Sequence, residues 1–221
     1  MIDQEINELI QRSQKIGITS HIRPDGDAIG AVLGLGLALT AAGKTVEMVL
    51  RTGVSKTFRH LAGADRIQKT FTSENDLYIV VDCSDLERTG GVLNDHQVDI
   101  VIDHHITNQG FGKLNLVEPG SVAACAILAE HMPKWGLTIN ADVASALLSG
   151  IISDSIGFRT SNTSANSLRI AADLMDKGAE INRLYNRAIE FQSQAVLELF
   201  KTKDLLLIIK LKDIYESLGL V

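Results

Sequence analysis

Cysteine and proline are scarce in this chain, which has two cysteines and three prolines in 221 residues. Cys83 and Cys125 each lie in an apolar stretch. They therefore predict small buried thiols in a reducing compartment, not a disulfide or a zinc site. With so little proline, no stretch has the composition of a stiff linker between domains. We expect one sizeable core, in one domain or little more.

Long apolar runs and a basic start are also missing. No run reaches the ~18 apolar residues of a membrane span. The first residues include Asp3, Glu5 and Glu8 and lack the pattern of a signal peptide. The net charge is −6 and the lysines and arginines are scattered, whereas a protein that binds duplex DNA needs a basic face. We expect a cytoplasmic protein that binds neither a membrane nor duplex DNA.

Polar groups that bind metals follow several short apolar segments. Predicted strands 16–20, 77–81 and 98–102 are followed by His21, by Asp82 and by a run that begins at Asp103. Open α/β sheets place their sites at such strand ends. Strands alternate with helices, which predicts an α/β fold with a mainly parallel sheet flanked by helices and followed by a helical C-terminal part.

Further elements are predicted from periodicity and from helix signals. Strands are expected at 45–50 and 113–117, and helices at 28–42, 121–131, 141–153, 165–177 and 180–190. Gly43 closes the helix at 28–42. Gly30, Gly34 and Gly36 cost helix stability, so we expect them to allow a close approach of this helix to the sheet or to a phosphate.

The ligand-type groups at these element ends outnumber what one metal ion needs: His21, Asp25, Asp27, Asp82, Asp103, His104, His105 and Asp154. Carboxylates with imidazoles suit Mn²⁺ or Mg²⁺ better than copper or thiolate-bound zinc. Two ions about 3.5–4 Å apart stabilise the attacking and leaving oxygens of a phosphoryl displacement. The set therefore predicts a metal phosphoesterase, in which Asp82, alone on a central strand, bridges the ions.

The four segments that carry these groups resemble the four motifs of the DHH phosphoesterases, over roughly residues 1–190. They read H-x-x-P-D-G-D-A-x-G from His21, V-D-C-S-D from Val81, D-H-H-x-T-N from Asp103 and G-I-I-S-D-S-x-G-F-R from Gly150. Within the family, P-D-G-D and the T-N after the histidines resemble the branch that degrades very short RNA and dephosphorylates 3′-phosphoadenosine 5′-phosphate. The manganese pyrophosphatase branch is the alternative.

The resemblance implies two divalent ions, Mn²⁺ first, with Mg²⁺ or Co²⁺ as alternatives. It assigns His21 and Asp25 to one ion, Asp27, His104 and Asp154 to the other, and Asp82 to both. Two further expectations follow from it. His105 faces the substrate phosphate, and Asp103 orients an imidazole.

Single residues also have simpler interpretations. Asp25 and Asp27 flank Gly26 in what is otherwise an ordinary turn. Arg159 is expected either to clamp phosphate oxygens as a catalytic group or to be a solvated arginine. Arg23 is favoured as a structural arginine. Asp85 and Arg88 are expected to be helix-cap and surface groups.

Residues 1–190 are predicted to form the metal-binding phosphoesterase domain, and 191–221 a helical C-terminal segment or a linker remnant. Relatives with two domains carry a G-G-G-H segment in a second, substrate-binding domain, and this segment is absent here. The apolar run at 205–209 is expected either to pack against a second copy as a homodimer or to fold back on the core.

The sequence thus predicts a manganese-dependent phosphoesterase that hydrolyses small nucleotides or short oligoribonucleotides through a water activated by two metals. Its partner is a short RNA or a phosphorylated nucleotide. Two alternatives stay open. One is a phosphoanhydride hydrolase of the pyrophosphatase type. The other is a non-catalytic remnant that binds metal or nucleotide, motivated by the expectation that the second domain is absent.

Overall fold

The computed structural model describes residues 2–190, so the expectations for 191–221, including the homodimer, lie outside the described residues. Five parallel strands form one sheet in the order β2-β1-β3-β4-β5. They are β1 Lys15–Thr19, β2 Thr45–Val49, β3 Leu77–Val81, β4 Ile100–Asp103 and β5 Leu114–Val117. The predicted α/β fold with a mainly parallel sheet and a helical part after it is confirmed.

Six α-helices are found among the described residues. They are α1 Ile2–Arg12, α2 Gly26–Ala41, α3 Ala124–His131, α4 Ala141–Asp154, α5 Ala165–Asp176 and α6 Ile181–Tyr185, which continues as a π-helical turn over Asn186–Glu190. None of the helices in residues 2–190 has the length and apolar character needed to cross a bilayer.

Most predicted boundaries lie within one residue of the structure. Helix α3 begins at Ala124, three residues later than expected, and two other differences involve residues of the candidate site. Helix α2 begins two residues earlier than expected because Asp25 caps it, its Oδ1 accepting the N–H groups of Asp27 and Ala28 at 2.9 and 3.1 Å. Strand β4 begins at Ile100, two residues later than predicted, and includes Asp103, which pairs with Val117 of β5.

The central strand β3 is buried on both faces. Leu77, Ile79 and Val81 pack into the main core with the helices, while Tyr78 and Val80 belong to a smaller core on the opposite face. Continuous apolar strands of this kind are typical of parallel sheets, which are covered on both sides.

The direction of strand addition reverses between β1 and β3. From β1 the chain goes to the edge strand β2, and it then returns to β3 on the other side of β1. The loops that leave β1 and β3 therefore diverge, and a crevice opens between them at the carboxyl edge of the sheet. His21 and Asp82 follow these two strands directly.

Glycines bring α2 and α4 into close antiparallel contact. A Cβ atom on Gly30 would stand 2.5 Å from the carbonyl oxygen of Ala146, and one on Gly34 would stand 2.6 Å from Leu147. Only Gly36 faces the sheet, against Met48 of β2. The expected close approach is therefore mainly to another helix. It holds the start of α2 and the end of α4 at one place.

We predict that Gly30→Ala lowers the free energy of unfolding by about 1–3 kcal/mol, because the added methyl meets backbone that has no room to move. Gly120→Ala is the matched control, since nothing lies within 4 Å of its added Cβ. Urea denaturation of both variants measures the difference. Equal stability of the two variants would contradict the packing role of Gly30.

Candidate metal centre

Two groups of ligand-type side chains meet in the crevice. His21, Asp25 and Asp82 offer atoms within 4.8 Å of one another, and so do Asp27, His104 and Asp154. The structure thus brings together all six residues that the sequence assigned to metal binding. A third overlapping group contains Asp82, Asp103, His104 and His105.

Asp82 stands between the two groups. Its Oδ2 lies 3.5 Å from Nε2 of His21, and its Oδ1 lies 3.5 Å from Nε2 of His104. These separations are longer than ordinary hydrogen bonds. They match the spacing of ligand atoms that each lie about 2.1 Å from a shared cation. Oδ1 is buried and has no hydrogen-bond partner among the described residues, which is costly for a carboxylate unless a cation satisfies it.

The backbone at Asp82 is held in an uncommon conformation, with a φ of 48°. Its N–H donates to the carbonyl of Ile102 at 2.9 Å, and its own carbonyl accepts from the hydroxyl of Ser20 at 3.2 Å. Neighbouring strand ends therefore fix the residue on both sides. Strained backbone that is held in this way is common at functional sites.

Asp27 is 1% exposed and lies against the first turn of α3. Its Oδ2 accepts the N–H of Ala124 at 2.6 Å, and its Oδ1 accepts that of Cys125 at 3.0 Å. The N-cap residue of α3 is Ala123, whose methyl group cannot accept a hydrogen bond. Asp27, which lies in α2, therefore caps α3 in its place. Position 150 requires glycine, because a Cβ atom on residue 150 would stand 2.9 Å from Oδ1 of Asp27.

The imidazoles of His21 and His104 are oriented by backbone carbonyls. Nδ1 of His21 donates to the carbonyl of Ile22 at 2.8 Å, and Nδ1 of His104 lies 3.4 Å from the carbonyl of Ser121. This arrangement leaves each Nε2 without a proton in the neutral ring and directed at Asp82. It is the tautomer that a metal ligand requires.

Asp103 contacts a different imidazole from those two. Its Oδ1 accepts Nδ1–H of His105 at 2.7 Å and the backbone N–H of His104 at 2.8 Å. Its Oδ2 accepts from Nδ2 of Asn108 at 2.7 Å. Asn108 also donates to the carbonyl of Cys83 and accepts the N–H of Gly110. No role is predicted for Asn108 from the sequence, although an Asn two residues before a Gly is a typical Asx-turn pattern.

Burial and neighbouring charges shift the pKa values of the groups in this centre. Burial, with the nearby charge of Asp82, raises the pKa of Asp27 to about 8, and burial raises that of Asp154 to about 6. Burial alone would lower the pKa of His104, but Asp82 and Asp27 outweigh it and raise the pKa to about 9. Burial alone would likewise raise the pKa of Asp82, yet the imidazoles of His104 and His21 hold it well below its usual range.

Arg159 lies on the rim, after α4. Its Nε donates to the carbonyl of Ile156 at 2.8 Å, and its side chain is exposed. Residues 156–158 all have positive φ, namely 49° at Ile156, 68° at Gly157 and 65° at Phe158. This left-handed turn brings the chain back to the end of α4, where the N–H of Arg159 donates to the carbonyl of Ser155 at 2.8 Å. A β-branched residue at positive φ is a genuine outlier and marks a constrained segment.

The arrangement is that of a site for divalent cations, with buried carboxylates, oriented imidazoles and an open side towards solvent. A model of the N-terminal domain of the DHH family matches residues 15–151, more than half of the chain. The chain belongs to the DHH family. The family predicted from the four motifs is confirmed.

Two curated relatives of this DHH chain are each named bifunctional oligoribonuclease and PAP phosphatase NrnA. The protein from Thermus thermophilus is 34% identical over 174 residues, which are 78% of this chain and 53% of the relative. The protein from Mycoplasma genitalium is 34% identical over 194 residues, which are 84% and 60%. The DHH chain therefore spans about half to three-fifths of the length of these relatives. Their names agree with the branch that the motifs indicated.

The fold also has a counterpart among solved structures. The crystal structure of an exopolyphosphatase-related protein from Bacteroides fragilis aligns with a TM-score of 0.79 at 22% identity. The match covers 85% of the DHH chain and 59% of that protein. At this identity the likeness establishes the fold alone.

We predict that the melting temperature of the metal-free protein falls by several degrees as the pH rises from 6.5 to 9. The pKa of His104 is raised from 6.5 to about 9 in the folded protein, so the folded state keeps a proton that the unfolded state releases in this range. Stability from this group is complete below pH 6.5 and is lost above it. Mn²⁺ binds the deprotonated ligands, so its stabilising effect should grow with pH.

Differential scanning fluorimetry with EDTA or with Mn²⁺ measures both effects. His104→Gln should flatten the pH dependence of the metal-free melting temperature. His96→Gln is the matched control, because His96 stacks on Tyr78 outside the centre. If the melting temperature changed equally with pH in the unsubstituted chain, His104→Gln and His96→Gln, the role given to His104 would be contradicted.

We predict that Asn108→Asp lowers Mn²⁺ affinity about 10–100-fold, the range found for residues that support metal ligands. The substitution keeps the shape but replaces the donor to Asp103 with a second carboxylate oxygen. Isothermal titration calorimetry measures the affinity. Asn182→Asp, on the exposed face of α6, is the control. Unchanged affinity in Asn108→Asp would exclude a supporting role for Asn108.

Proposed function

We propose that the chain is a manganese-dependent phosphoesterase that hydrolyses small nucleotides or short oligoribonucleotides. The observation that carries the proposal is the position of Asp82, whose two carboxylate oxygens face different ligand groups. One carboxylate shared in this way is what a centre with two ions requires. His21 and Asp25 would complete one ion site, and Asp27, His104 and Asp154 the other. Residues 1–190 would form the catalytic domain.

Two bound ions would supply a water of lowered pKa and positive charge for the transition state. The protein's own groups would then place the phosphate. His105 is 34% exposed at its side chain, and the hydrogen bond from its Nδ1 to Asp103 raises the pKa of the imidazole. In the protonated ring, Nε2 would be the atom that donates to a phosphate oxygen. Arg159 uses Nε on Ile156, which leaves the two Nη groups for a phosphate.

Manganese fits this donor set better than a thiophilic metal. Both cysteines are buried, and burial raises the pKa of Cys83 to about 12. Its thiol donates to the carbonyl of Asp85 at 3.1 Å and is not a thiolate ligand. Carboxylates and imidazoles without thiolate favour Mn²⁺, with Mg²⁺ or Co²⁺ as substitutes.

An apolar rim favours a nucleotide over pyrophosphate. Leu86, Ile106 and Ile156 are 48%, 85% and 50% exposed, and each follows a strand or helix that ends at the centre. A nucleobase can contact such side chains, whereas pyrophosphate is polar throughout. The named activities of the two NrnA relatives support the same substrate class. A short RNA or phosphorylated nucleotide as partner, and a cytoplasmic location, belong to this proposal.

We predict Mn²⁺-dependent release of mononucleotide from a two-to-five-nucleotide RNA and of phosphate from 3′-phosphoadenosine 5′-phosphate, with slower release from pyrophosphate. Asp82→Asn should lower kcat at least about a thousandfold, since shared coordination contributes several kcal/mol. Asn is chosen because it tolerates the positive φ at this position. Asp95→Asn, an exposed carboxylate outside the centre, should retain full activity.

Each other outcome has a definite meaning. Faster turnover of pyrophosphate than of the nucleotides would replace the proposal with the pyrophosphatase alternative. Tight Mn²⁺ binding without turnover of any substrate would favour the non-catalytic alternative. Equal turnover by Asp82→Asn and the unsubstituted chain would exclude the shared-carboxylate mechanism.

A further inference from the structure

Three arginines outside the metal centre lie on loops that follow neighbouring strands. Arg23 comes four residues after β1, Arg51 comes two residues after β2, and Arg88 lies in a short helix, Glu87–Thr89, after β3. All three are therefore at the carboxyl edge of the sheet. Because the strand order is β2-β1-β3, they extend from the His21 side of the centre towards the edge strand β2.

Hydrogen bonds and packing tie the three loops together. The N–H of Arg23 donates to the hydroxyl of Thr52 at 3.1 Å, and the N–H of Ile22 donates to the carbonyl of Arg88 at 2.7 Å. Cγ of Arg51 lies 3.4 Å from where a Cβ on Gly90 would stand. Arg23 itself has a φ of 54°, a conformation that persists only when its surroundings hold it.

The guanidinium groups of these arginines form no ion pair within residues 2–190. None of the ion pairs formed by the described residues involves Arg23, Arg51 or Arg88. The neighbouring carboxylate of Asp85 accepts the N–H of Arg88 and the hydroxyl of Ser84, although the N-cap residue of this short helix is Leu86 and not Asp85 as expected. Arg88 donates through Nη1 to Ser84 at 3.2 Å. Arg23 and Arg51 are exposed.

We propose that Arg23, Arg51 and Arg88 form a second anion subsite, which binds the backbone phosphates of the nucleotides beyond the one held at the metal centre. The inference rests on the proposed function, since it extends the path of that substrate. Guanidinium groups match phosphate geometry with forked donors. Three adjacent strands span about 10 Å, so arginines on the loops that follow them would reach more than one phosphate.

The subsite would also explain how a chain of negative net charge attracts RNA locally. The net charge of −6 repels RNA at long range, so a short oligonucleotide needs a local attraction. The arginines supply it beside His21 and Asp25, between which Arg23 lies in the chain. A mononucleotide bound at the metal centre would not reach Arg51, which follows β2, whereas an RNA of several nucleotides would.

The test uses the 221-residue chain and a five-nucleotide RNA with a 5′-fluorescein label. Fluorescence anisotropy, with Ca²⁺ in place of Mn²⁺ to limit hydrolysis, measures affinity across salt concentrations. Arg51→Ala should weaken binding roughly five- to tenfold and reduce the slope of log K against log salt by about 0.7. Arg23→Ala/Arg51→Ala should reduce the slope by about 1.4. Arg51→Lys should restore the slope, because the charge returns.

Arg12→Ala is the matched control. Arg12 is an exposed arginine in the last turn of α1, at the opposite edge of the sheet, and its removal should leave affinity and slope unchanged. In activity assays with Mn²⁺, Arg51→Ala should lower the ratio of kcat/KM for the five-nucleotide RNA to that for bis(p-nitrophenyl) phosphate, while Arg12→Ala should not.

The outcomes separate this inference from the proposed function. Equal affinity and salt slope in Arg51→Ala, the double variant and Arg12→Ala would overturn the subsite even if the chain hydrolyses RNA. Absence of turnover in the unsubstituted chain would count against the proposed function, and the anisotropy series would still decide the subsite.

Discussion

Burial of several carboxylates at one end of the sheet is the constraint on which the rest of the structure depends. Asp27, Asp82 and Asp103 are at most 2% exposed. Each needs compensation, because a buried charge without partners costs several kcal/mol. Asp27 takes the first amides of α3, and Asp103 takes His105, Asn108 and a backbone N–H. Asp82 has imidazoles and further carboxylates beside it, but its Oδ1 has no hydrogen-bond partner among the described residues, which makes the centre receptive to a cation.

The helical layer follows from this constraint. For Asp27 to reach α3, the start of α2 must lie deep in the molecule, and α4 must pack tightly beside it to bring in Asp154. Gly30 and Gly150 remove the side chains that would keep these helices apart. The same glycines that weaken helices as isolated segments therefore serve the metal centre. Stability and function are coupled here, and changes in the packing of α2 should alter metal affinity.

The carboxyl edge of the sheet has two chemically different sides. The buried acidic centre lies at the ends of β1, β3 and β4, and arginines that form no ion pair within residues 2–190 extend from it towards β2. Apolar side chains such as Ile106 stand on the rim. In the proposed function, a phosphate ester with a base and further phosphates would have parts that suit each surface, whereas a small inorganic anion would not.

The sequence by itself determined the fold class, the strands and which ligand-type residues the structure brings together at the carboxyl edge of the sheet. It did so because apolar strand runs and their polar ends are local patterns, and the four motifs are specific. It did not give the strand order, the helix that Gly30 faces, the role of Asn108 or the convergence of Arg23 with Arg51 and Arg88. These depend on contacts between residues far apart in the chain, such as Asp27 with Ala124. Only the tertiary structure decided them. Once the direction of strand addition reverses, strand ends and helix starts that are far apart in the chain can meet, and their separation in the sequence does not say which of them will.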